Sequence, residues 1–297
     1  MEGKKRKRKW GDRRDARRVT DVTGLNVLMP YVMPNRTDAE VCLQQDFDVT
    51  ELLRYIEKKN QQHDNYKTTI FHCIVFAVAK MVNERPKMNR FIQGRRAYEH
   101  NEISLAFMAK RRFVDGAEEA FMMFVPKENE TLDELSHRIY GDLQETRKSA
   151  TATGGVDKLL EHLSKVPRPI LMFMCWFLRK LDFWGKNLQA VTRGDSNYAS
   201  VLLSNLGSIK CPAVYHHLNN YGSTSVVATI GTIHKAEVLQ KDGTKVLRDM
   251  VDMAVTLDER IADGFYFARS LKLIQYLFSH PELMDRPFSE PSGFEYD

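Results

Sequence analysis

Charged residues and a glycine cluster in the stretch Leu257–Gly264. Glu259 and Asp263 lie four positions apart, and paired carboxylates are groups that proteins use for general acid–base catalysis. A purely structural interpretation is also available. Asp263 can cap a following helix or hold an arginine, and Gly264 permits close backbone approach. The residues alone leave both interpretations open.

Two rigid elements are predicted on either side of this turn. Met250–Leu257 alternates as a strand does, and Phe265–Ser279 has the spacing of an amphipathic helix. Turns held by such elements often carry the chemistry of a protein. Residues 26–33 are predicted to be extended, and His72 is expected to lie in the core or an interface within the most strongly helical segment. Helices are predicted over 50–59, 68–83, 131–148 and 167–184, and further strands over 41–47, 89–92, 97–99, 103–109, 118–125, 199–203 and 223–233.

The N-terminal segment carries the basic charge of the protein. The 297 residues have a net charge of +5, but residues 1–18 hold ten lysines and arginines against three acids, which leaves −2 for the remainder. Such a run predicts a flexible, solvated tail over residues 1–19. Contact with RNA or an anionic membrane, or an ordered arm on the body, are the alternatives. Trp10 is its only aromatic residue, so nothing indicates base stacking.

The cysteines and the N-terminus favour a cytoplasmic protein. The four cysteines form no CxxC motif and lack a histidine at metal-ligand spacing, which predicts reduced, mostly buried thiols. No apolar segment follows the basic N-terminus, as a signal peptide would require. The longest apolar run, Ile170–Leu178, is too short for a bilayer span of about 20 residues. It is expected to be a core or interface helix, with a substrate-tunnel wall or a membrane-surface contact as alternatives.

Five motifs resemble the catalytic domain of the dihydrolipoyl acyltransferases of 2-oxoacid dehydrogenase complexes, within the chloramphenicol acetyltransferase-like superfamily. They occur in the same order over about residues 40–285. The resemblance implies an α+β fold, a two-layer sandwich in which helices cover a mixed β-sheet, formed by a single domain over residues 20–297. The motifs are Asp-Val-Thr-Glu-Leu at 48–52, Pro-x-x-Asn at 86–89, Ser-Asn-Leu-Gly at 204–207, the strand 225–233 and Asp-Glu-Arg-x-x-Asp-Gly at 258–264.

The resemblance also implies an activity and three site residues. In the family a histidine takes a proton from the thiol of CoA or dihydrolipoamide, and the thiolate attacks an acyl carbonyl. A serine hydroxyl supports the oxyanion, and the aspartate of Asp-Gly makes a salt bridge that shapes the turn. By position these residues are Glu259, Ser204 and Asp263. Acyl-CoA would then be a cosubstrate, with no tightly bound cofactor and no metal.

Glu259 occupies the position of the family's histidine. An unperturbed glutamate is about 2 pKa units less basic than histidine, which costs roughly 3 kcal/mol for proton transfer from a thiol. Burial could raise the pKa of Glu259 by that amount, whereas Arg260 would act in the opposite direction. The substitution therefore weakens catalysis, changes the acceptor, or marks a protein that keeps the fold without the reaction.

The resemblance has consequences for assembly. A tail of 19 residues has no room for a lipoyl domain, so we expect a free-standing acyltransferase acting on a small-molecule acyl donor and acceptor. Related antibiotic acetyltransferases imply a homotrimer with active sites at the subunit interfaces. The alternative is a non-catalytic trimeric pseudoenzyme that binds a ligand or serves as a scaffold. A protein directed to nucleic acid or membrane by its tail is a third possibility.

Overall fold

The computed structural model describes residues 8–62, 66–110, 119–148, 165–186 and 194–296. Its main feature is a six-stranded mixed sheet in the order β2-β9-β8-β7-β5-β6. The pairs β5/β7 and β7/β8 are parallel, and the others are antiparallel. The strands are β2 Glu40–Asp48, β5 Leu105–Lys110, β6 Glu119–Phe124, β7 Val201–Asn205, β8 Val226–Leu239 and β9 Lys245–Asp258.

Four helices pack on one face of this sheet. Alternate residues of β9, among them Val251 and Leu257, share one buried cluster with helix residues such as Phe76 and Leu277. This is the two-layer α+β sandwich that the sequence predicts. The four helices are α2 Thr50–Asn60, α3 Ile70–Glu84, α4 Leu132–Lys148 and α6 Gly264–Ser279.

The segment after β7 covers part of the opposite face. The amide of Ala213 donates to Asp252 Oδ2 at 2.6 Å, and the amide of Val214 donates to Thr229 Oγ1 at 3.1 Å. Asp252 and Thr229 are both buried. Side-chain acceptors on β8 and β9 thus satisfy backbone donors of the covering segment, which a buried loop requires.

A small second sheet corrects the prediction of a flexible tail. Residues 1–7 lie outside the described residues, but β1, Ala16–Arg18, pairs with β4, Arg96–His100, which in turn pairs with β3, Arg90–Gln93. Arg13 is buried and forms ion pairs with Asp15 at 2.9 Å and Asp182 at 2.8 Å. The described part of the segment is therefore an ordered arm, because charges distant in sequence neutralise its arginine.

Two further helices lie beside the β3–β4 turn. Helix α1, Leu25–Val32, replaces the predicted extended segment. Pro30 lies near the end of this short helix, so its missing amide removes few helical hydrogen bonds. Helix α5, Arg168–Phe183, contains the apolar run at 170–178. Helix α5 is largely exposed within one chain, which excludes the core helix but leaves the subunit interface, the tunnel wall and the membrane-surface contact open.

The remaining predictions on side chains are partly confirmed. His72 is buried on α3, where burial lowers its pKa to about 4 and its ring belongs to the helix cap. All four cysteines are free, but only Cys73 is buried, which corrects the expectation of mostly buried thiols. Cys175 is exposed because α5 is exposed.

We predict that Arg13→Ala detaches the arm. The change leaves Asp182 buried without its partner, and breaking a buried pair typically costs about 3–5 kcal/mol. Amide exchange of residues 16–18 should accelerate by roughly 100-fold or more, measured by hydrogen–deuterium exchange. Arg14→Ala, at an exposed neighbour, is the control. Unchanged protection in Arg13→Ala would contradict this role of the ion pairs.

Candidate active site

A buried ion-pair cluster ends strand β9. Asp258 is fully buried, and Arg260 binds its carboxylate with Nε at 2.7 Å from Oδ1 and Nη2 at 2.6 Å from Oδ2. Arg36 Nε lies 3.8 Å from Asp258 Oδ2. This fork-to-fork geometry fixes the backbone on both sides of Glu259, because residues 258 and 260 are held together.

The same cluster connects three separate segments. Arg260 Nη1 donates to the carbonyl of Met33 at 2.8 Å, beyond the end of α1. Arg36 Nη1 donates to the carbonyl of Asn219 at 2.5 Å, and its Nη2 donates to that of Gly222 at 3.1 Å. Burial lowers the pKa of Arg36, an effect that the nearby Asp258 carboxylate opposes. The turn is therefore anchored to the residues that follow α1 and to the segment between β7 and β8.

Glu259 extends the ladder of β9 by one residue. Its amide donates to the carbonyl of Ala39 at 2.9 Å, next to the pair formed by Glu40 and Asp258. Its side chain is half-buried, whereas Asp258 and Arg260 are buried on either side of it. The carboxylate at 259 is thus presented from a rigid backbone at the end of the sheet.

Asp263 caps helix α6. Its Oδ1 accepts a hydrogen bond from the amide of Tyr266 at 2.8 Å, as an N-cap side chain does. Asp263 is exposed, and no cationic nitrogen of the described residues lies within 4.0 Å of its carboxylate. The salt bridge within one chain is instead formed by Asp258 and Arg260. Asp263 therefore positions the helix that follows the turn.

Ser204 lies near the end of β7, half-buried and at the start of the Ser-Asn-Leu-Gly turn. Gly207 is required in this turn because a Cβ there would lie 2.3 Å from the carbonyl oxygen of Gly231 on β8. Asn205 Oδ1 accepts from the amide of Ser208 at 3.2 Å, and Ser208 Oγ donates to the carbonyl of Asn205 at 2.8 Å. The turn is thus held by its own side chains against β8.

The sheet register separates Ser204 from Glu259 within one chain. Ser204 is opposite Thr229, and Thr229 is opposite Ala254 on β9. Glu259 lies five residues beyond Ala254, and it is two strands away from β7. At about 3.3 Å per residue and 4.8 Å per strand, the Cα atoms are roughly 19 Å apart. A single chain does not bring the two predicted groups together.

Two exposed histidines lie at the same end of the sheet as Glu259. The rings of His216 and His217 stack with centroids 4.7 Å apart. The next amide, that of Leu218, donates to Glu40 Oε1 at 2.5 Å, and Glu40 is opposite Asp258. No local sequence pattern predicts the position of this pair, since only the returning path of the loop brings it here.

Two other histidines lie too far from the turn at 258–264 to replace the family's histidine. His234 is opposite Met250 on the far part of the β8–β9 hairpin, and His280 packs on Tyr276 at the end of α6. Within the described ranges no group of three or more His, Cys, Asp or Glu side chains has the geometry of a metal site.

The sequence also matches a family model over residues 32–116 and 188–285, more than half of the chain. The model is that of the 2-oxoacid dehydrogenases acyltransferase catalytic domain. The chain belongs to this family. A search of curated proteins by sequence finds no match.

Solved structures confirm the chloramphenicol acetyltransferase-like fold. A probable dihydrolipoamide acetyltransferase from Listeria monocytogenes has a TM-score of 0.58 at 15% identity, over 94% of this chain and 98% of that one. A chloramphenicol acetyltransferase has a TM-score of 0.54 at 12% identity, over 89% of this chain and 99% of that one. A dihydrolipoamide acetyltransferase from Azotobacter vinelandii, studied for the role of one serine, one histidine and one asparagine in catalysis, has a TM-score of 0.58 at 15% identity, over 90% and 94% of the two chains.

We predict that Asp258→Ala strongly destabilises the protein. It leaves the guanidinium groups of Arg36 and Arg260 buried without a carboxylate, at a cost of about 3–5 kcal/mol. Urea unfolding would measure the change. Asp249→Ala is a matched control, because this residue of β9 pairs with exposed Lys235 at 2.7 Å and should cost at most about 1 kcal/mol.

Asp258→Asn, which keeps an acceptor oxygen, provides a milder variant if Asp258→Ala does not fold. Equal free energies of unfolding for the variants at 258 and 249 would show that the cluster does not stabilise the turn.

Proposed function

We propose that this protein is an acyltransferase that moves an acyl group between a CoA or dihydrolipoyl thiol and a small acceptor. The observation that carries the proposal is the placement of both family turns at rigid strand ends. Glu259 follows β9 beside the Asp258–Arg260 pair, and Ser204 ends β7 in a turn that only Gly207 permits. The buried ion pair and the close-packed turn hold these two side chains in fixed positions, as a catalytic site requires.

A homotrimer with active sites between subunits would bring the two groups together. The distance of roughly 19 Å between Ser204 and Glu259 is too long for joint action on one acyl carbon within a chain. The β8–β9 hairpin extends past the end of β2 and exposes Leu239 and Leu247. Such an uncovered hairpin supports association with further copies. Among similar folds is the cubic core of a pyruvate dehydrogenase complex, with a TM-score of 0.59 at 14% identity over 90% and 94% of the two chains.

In the proposed reaction Glu259 accepts the proton of the attacking group, which is the thiol when the acyl group moves onto CoA or dihydrolipoamide and the acceptor when acyl-CoA is the donor. The deprotonated group attacks the acyl carbonyl, and the Ser204 hydroxyl of another subunit donates a hydrogen bond to the resulting oxyanion. The tetrahedral intermediate then expels the original carrier, which takes the proton back from Glu259. The proton and the acyl group are thus both conserved in the exchange, and no cofactor is consumed.

The environment of Glu259 supports its use as a base. Arg260 would lower the basicity of a neighbouring carboxylate if its charge were free. Its guanidinium is instead bound through Nε and Nη2 to Asp258, and this carboxylate, which Arg36 shares, compensates part of its charge. A second subunit that covers the half-buried Glu259 would exclude water from the carboxylate at the proposed site.

A non-catalytic trimer is the second candidate. The observation that favours it is the presence of glutamate where the family's motif has histidine. In that case the space between subunits would bind a ligand or serve a scaffold without acyl transfer. The same measurements distinguish the two candidates, because a pseudoenzyme has no turnover for a substitution to remove.

A cytoplasmic location fits this proposal. Cys42, Cys73, Cys175 and Cys211 are all free, as expected where thiols are kept reduced. Free CoA and reduced dihydrolipoyl groups have the same chemical requirement, since both accept an acyl group through a free thiol.

We predict that Glu259→Gln lowers kcat by about 10²-fold or more, since a general base contributes about 10²–10⁴-fold. Ser204→Ala should cost on the order of 10²-fold through loss of an oxyanion donor. Thiol release from a panel of acyl-CoA substrates with small acceptors would measure both. Glu237→Gln, on the exposed hairpin, and the double variant His216→Ala/His217→Ala are the controls and should retain activity.

Two outcomes would overturn this assignment. Absence of turnover with every acyl-CoA, together with activity in Glu259→His, would establish the non-catalytic candidate. Loss of activity in the double histidine variant, with Glu259→Gln active, would move the base to the loop at 216–217.

We further predict complementation between inactive variants. In a trimer with sites between subunits, co-expressed Ser204→Ala and Glu259→Gln chains leave about one quarter of the sites with both native residues. Selection of doubly tagged trimers removes the homotrimers and leaves about one site in three complete, so their activity should recover to about one third of the unmodified level, while each variant alone remains inactive. If mixed trimers sediment normally but do not regain activity, both residues act from one chain.

A further inference from the structure

Helix α5 exposes an apolar surface that the core does not use. Only its Leu171, Leu178, Leu181 and Asp182 positions are half-buried or buried. Met172 is 73% exposed, Phe173 62% and Trp176 54%. The helix lies within residues 117–187, which the family model does not match. This surface therefore lies outside the residues that the family model matches.

All three tryptophans of the protein belong to this region. Trp176 lies on α5, and Trp184 follows its last turn and is 66% exposed. Trp10, in the arm, is 92% exposed. Tryptophan is usually well buried in soluble proteins, and its exposed use is typical of membrane–water interfaces, where an apolar ring and a polar N–H are both satisfied.

The arm, α1 and α5 are joined at the β3–β4 turn. A Cβ on Gly94 would lie 2.0 Å from the carbonyl oxygen of Phe183, so the end of α5 rests directly on this turn. Arg95 Nη1 donates to the carbonyl of Pro30 at 2.9 Å, which places α1 beside the same turn. The Arg13–Asp182 ion pair attaches the arm to the end of α5. Helix α1 also exposes apolar side chains, namely Leu25, Val27, Leu28, Tyr31 and Val32.

The charges around this surface are positive. Between residues 165 and 186 there are five lysines and arginines, and the single acid, Asp182, is buried against Arg13. The exposed charges on α5 are those of Arg168, Arg179 and Lys180. Arg8 and Lys9 of the arm are exposed beside Trp10, and the preceding residues 4–7 are all basic in the sequence.

We propose that α5, with Trp10 and α1 beside it, docks on an anionic membrane surface. The apolar side chains would enter the headgroup region, and the surrounding cations would contact anionic lipids. The helix has 16 residues, about 24 Å, which is shorter than the roughly 30 Å hydrocarbon core. Within the described ranges, no helix combines the length and apolar character that a membrane span needs. Binding in the plane of the interface is the geometry that remains.

Charge favours lipid over a second copy of the chain as the occupant. Two copies facing each other through α5 would bring Arg179 and Lys180 near cations of the same kind, and the only acid on the helix is already paired. An anionic lipid surface provides the complementary charge and accepts aromatic side chains at the same depth. This surface uses none of the proposed acyltransferase residues Glu259, Ser204 and Asp263, so neither proposal depends on the other.

Vesicle binding by the full chain tests the proposal. Phosphatidylcholine vesicles containing phosphatidylglycerol should bind the protein and shift its tryptophan fluorescence to the blue, because every tryptophan lies in this region. Pure phosphatidylcholine vesicles or high salt should weaken binding by about tenfold or more. Phe173→Ser/Trp176→Ser should lower affinity to a similar degree, and Arg179→Glu/Lys180→Glu should remove the preference for anionic lipid.

Tyr140→Ser on α4 and Lys58→Glu on α2, both exposed on helices that cover the main sheet, are the matched controls and should bind as the unmodified protein does. The proposal is overturned if the full chain does not bind anionic vesicles, or binds both vesicle types equally. It is also overturned if Phe173→Ser/Trp176→Ser leaves vesicle binding unchanged but reduces the sedimentation coefficient without lipid, which would make a second copy the occupant.

Discussion

The carboxylate of Asp258 links parts of the molecule that are distant in the chain. It binds Arg260 two residues away and lies beside Arg36, whose guanidinium in turn reaches the carbonyls of Asn219 and Gly222. Two buried cations sharing one carboxylate are unfavourable unless their remaining donors are satisfied. The carbonyls supplied by residues 33, 219 and 222 meet that requirement, so the turn, the end of α1 and the segment before β8 are positioned together.

The register of the sheet imposes a second constraint. Hydrogen bonds from Ser204 through Thr229 to Ala254 place the serine turn and Glu259 at different heights of the sheet. A one-residue slip would move alternate residues of β9 from the helix side to the opposite face, and both faces are buried there. The separation is therefore a fixed property of the chain, and the proposed chemistry depends on assembly rather than on movement of either turn.

Local patterns predict the elements well, and long-range charge pairs account for what they miss. Helix α3 follows from apolar spacing, and the turn at Leu257–Gly264 follows from a strand followed by a helix. The arm was expected to be flexible because its charges look unpaired in sequence, yet Asp182 lies 169 residues from Arg13. The location of His216 and His217 beside Glu40 depends in the same way on a loop path that no local pattern encodes. Family motifs supplied the site residues, but the distance between them required the strand register.

An unperturbed glutamate is about 2 pKa units less basic than an unperturbed histidine, or roughly 3 kcal/mol. The surroundings of residue 259 therefore decide whether a glutamate can replace the family's histidine. Asp258 binds the adjacent Arg260 through two hydrogen bonds and so compensates part of its charge. In the proposed trimer, a neighbouring subunit that carries Ser204 would exclude water from the Glu259 side chain, which is half-buried in one chain. The contact that completes the site would then be the same contact that removes Glu259 from water, and this coupling is a physical reason for a glutamate-based site to be built between subunits.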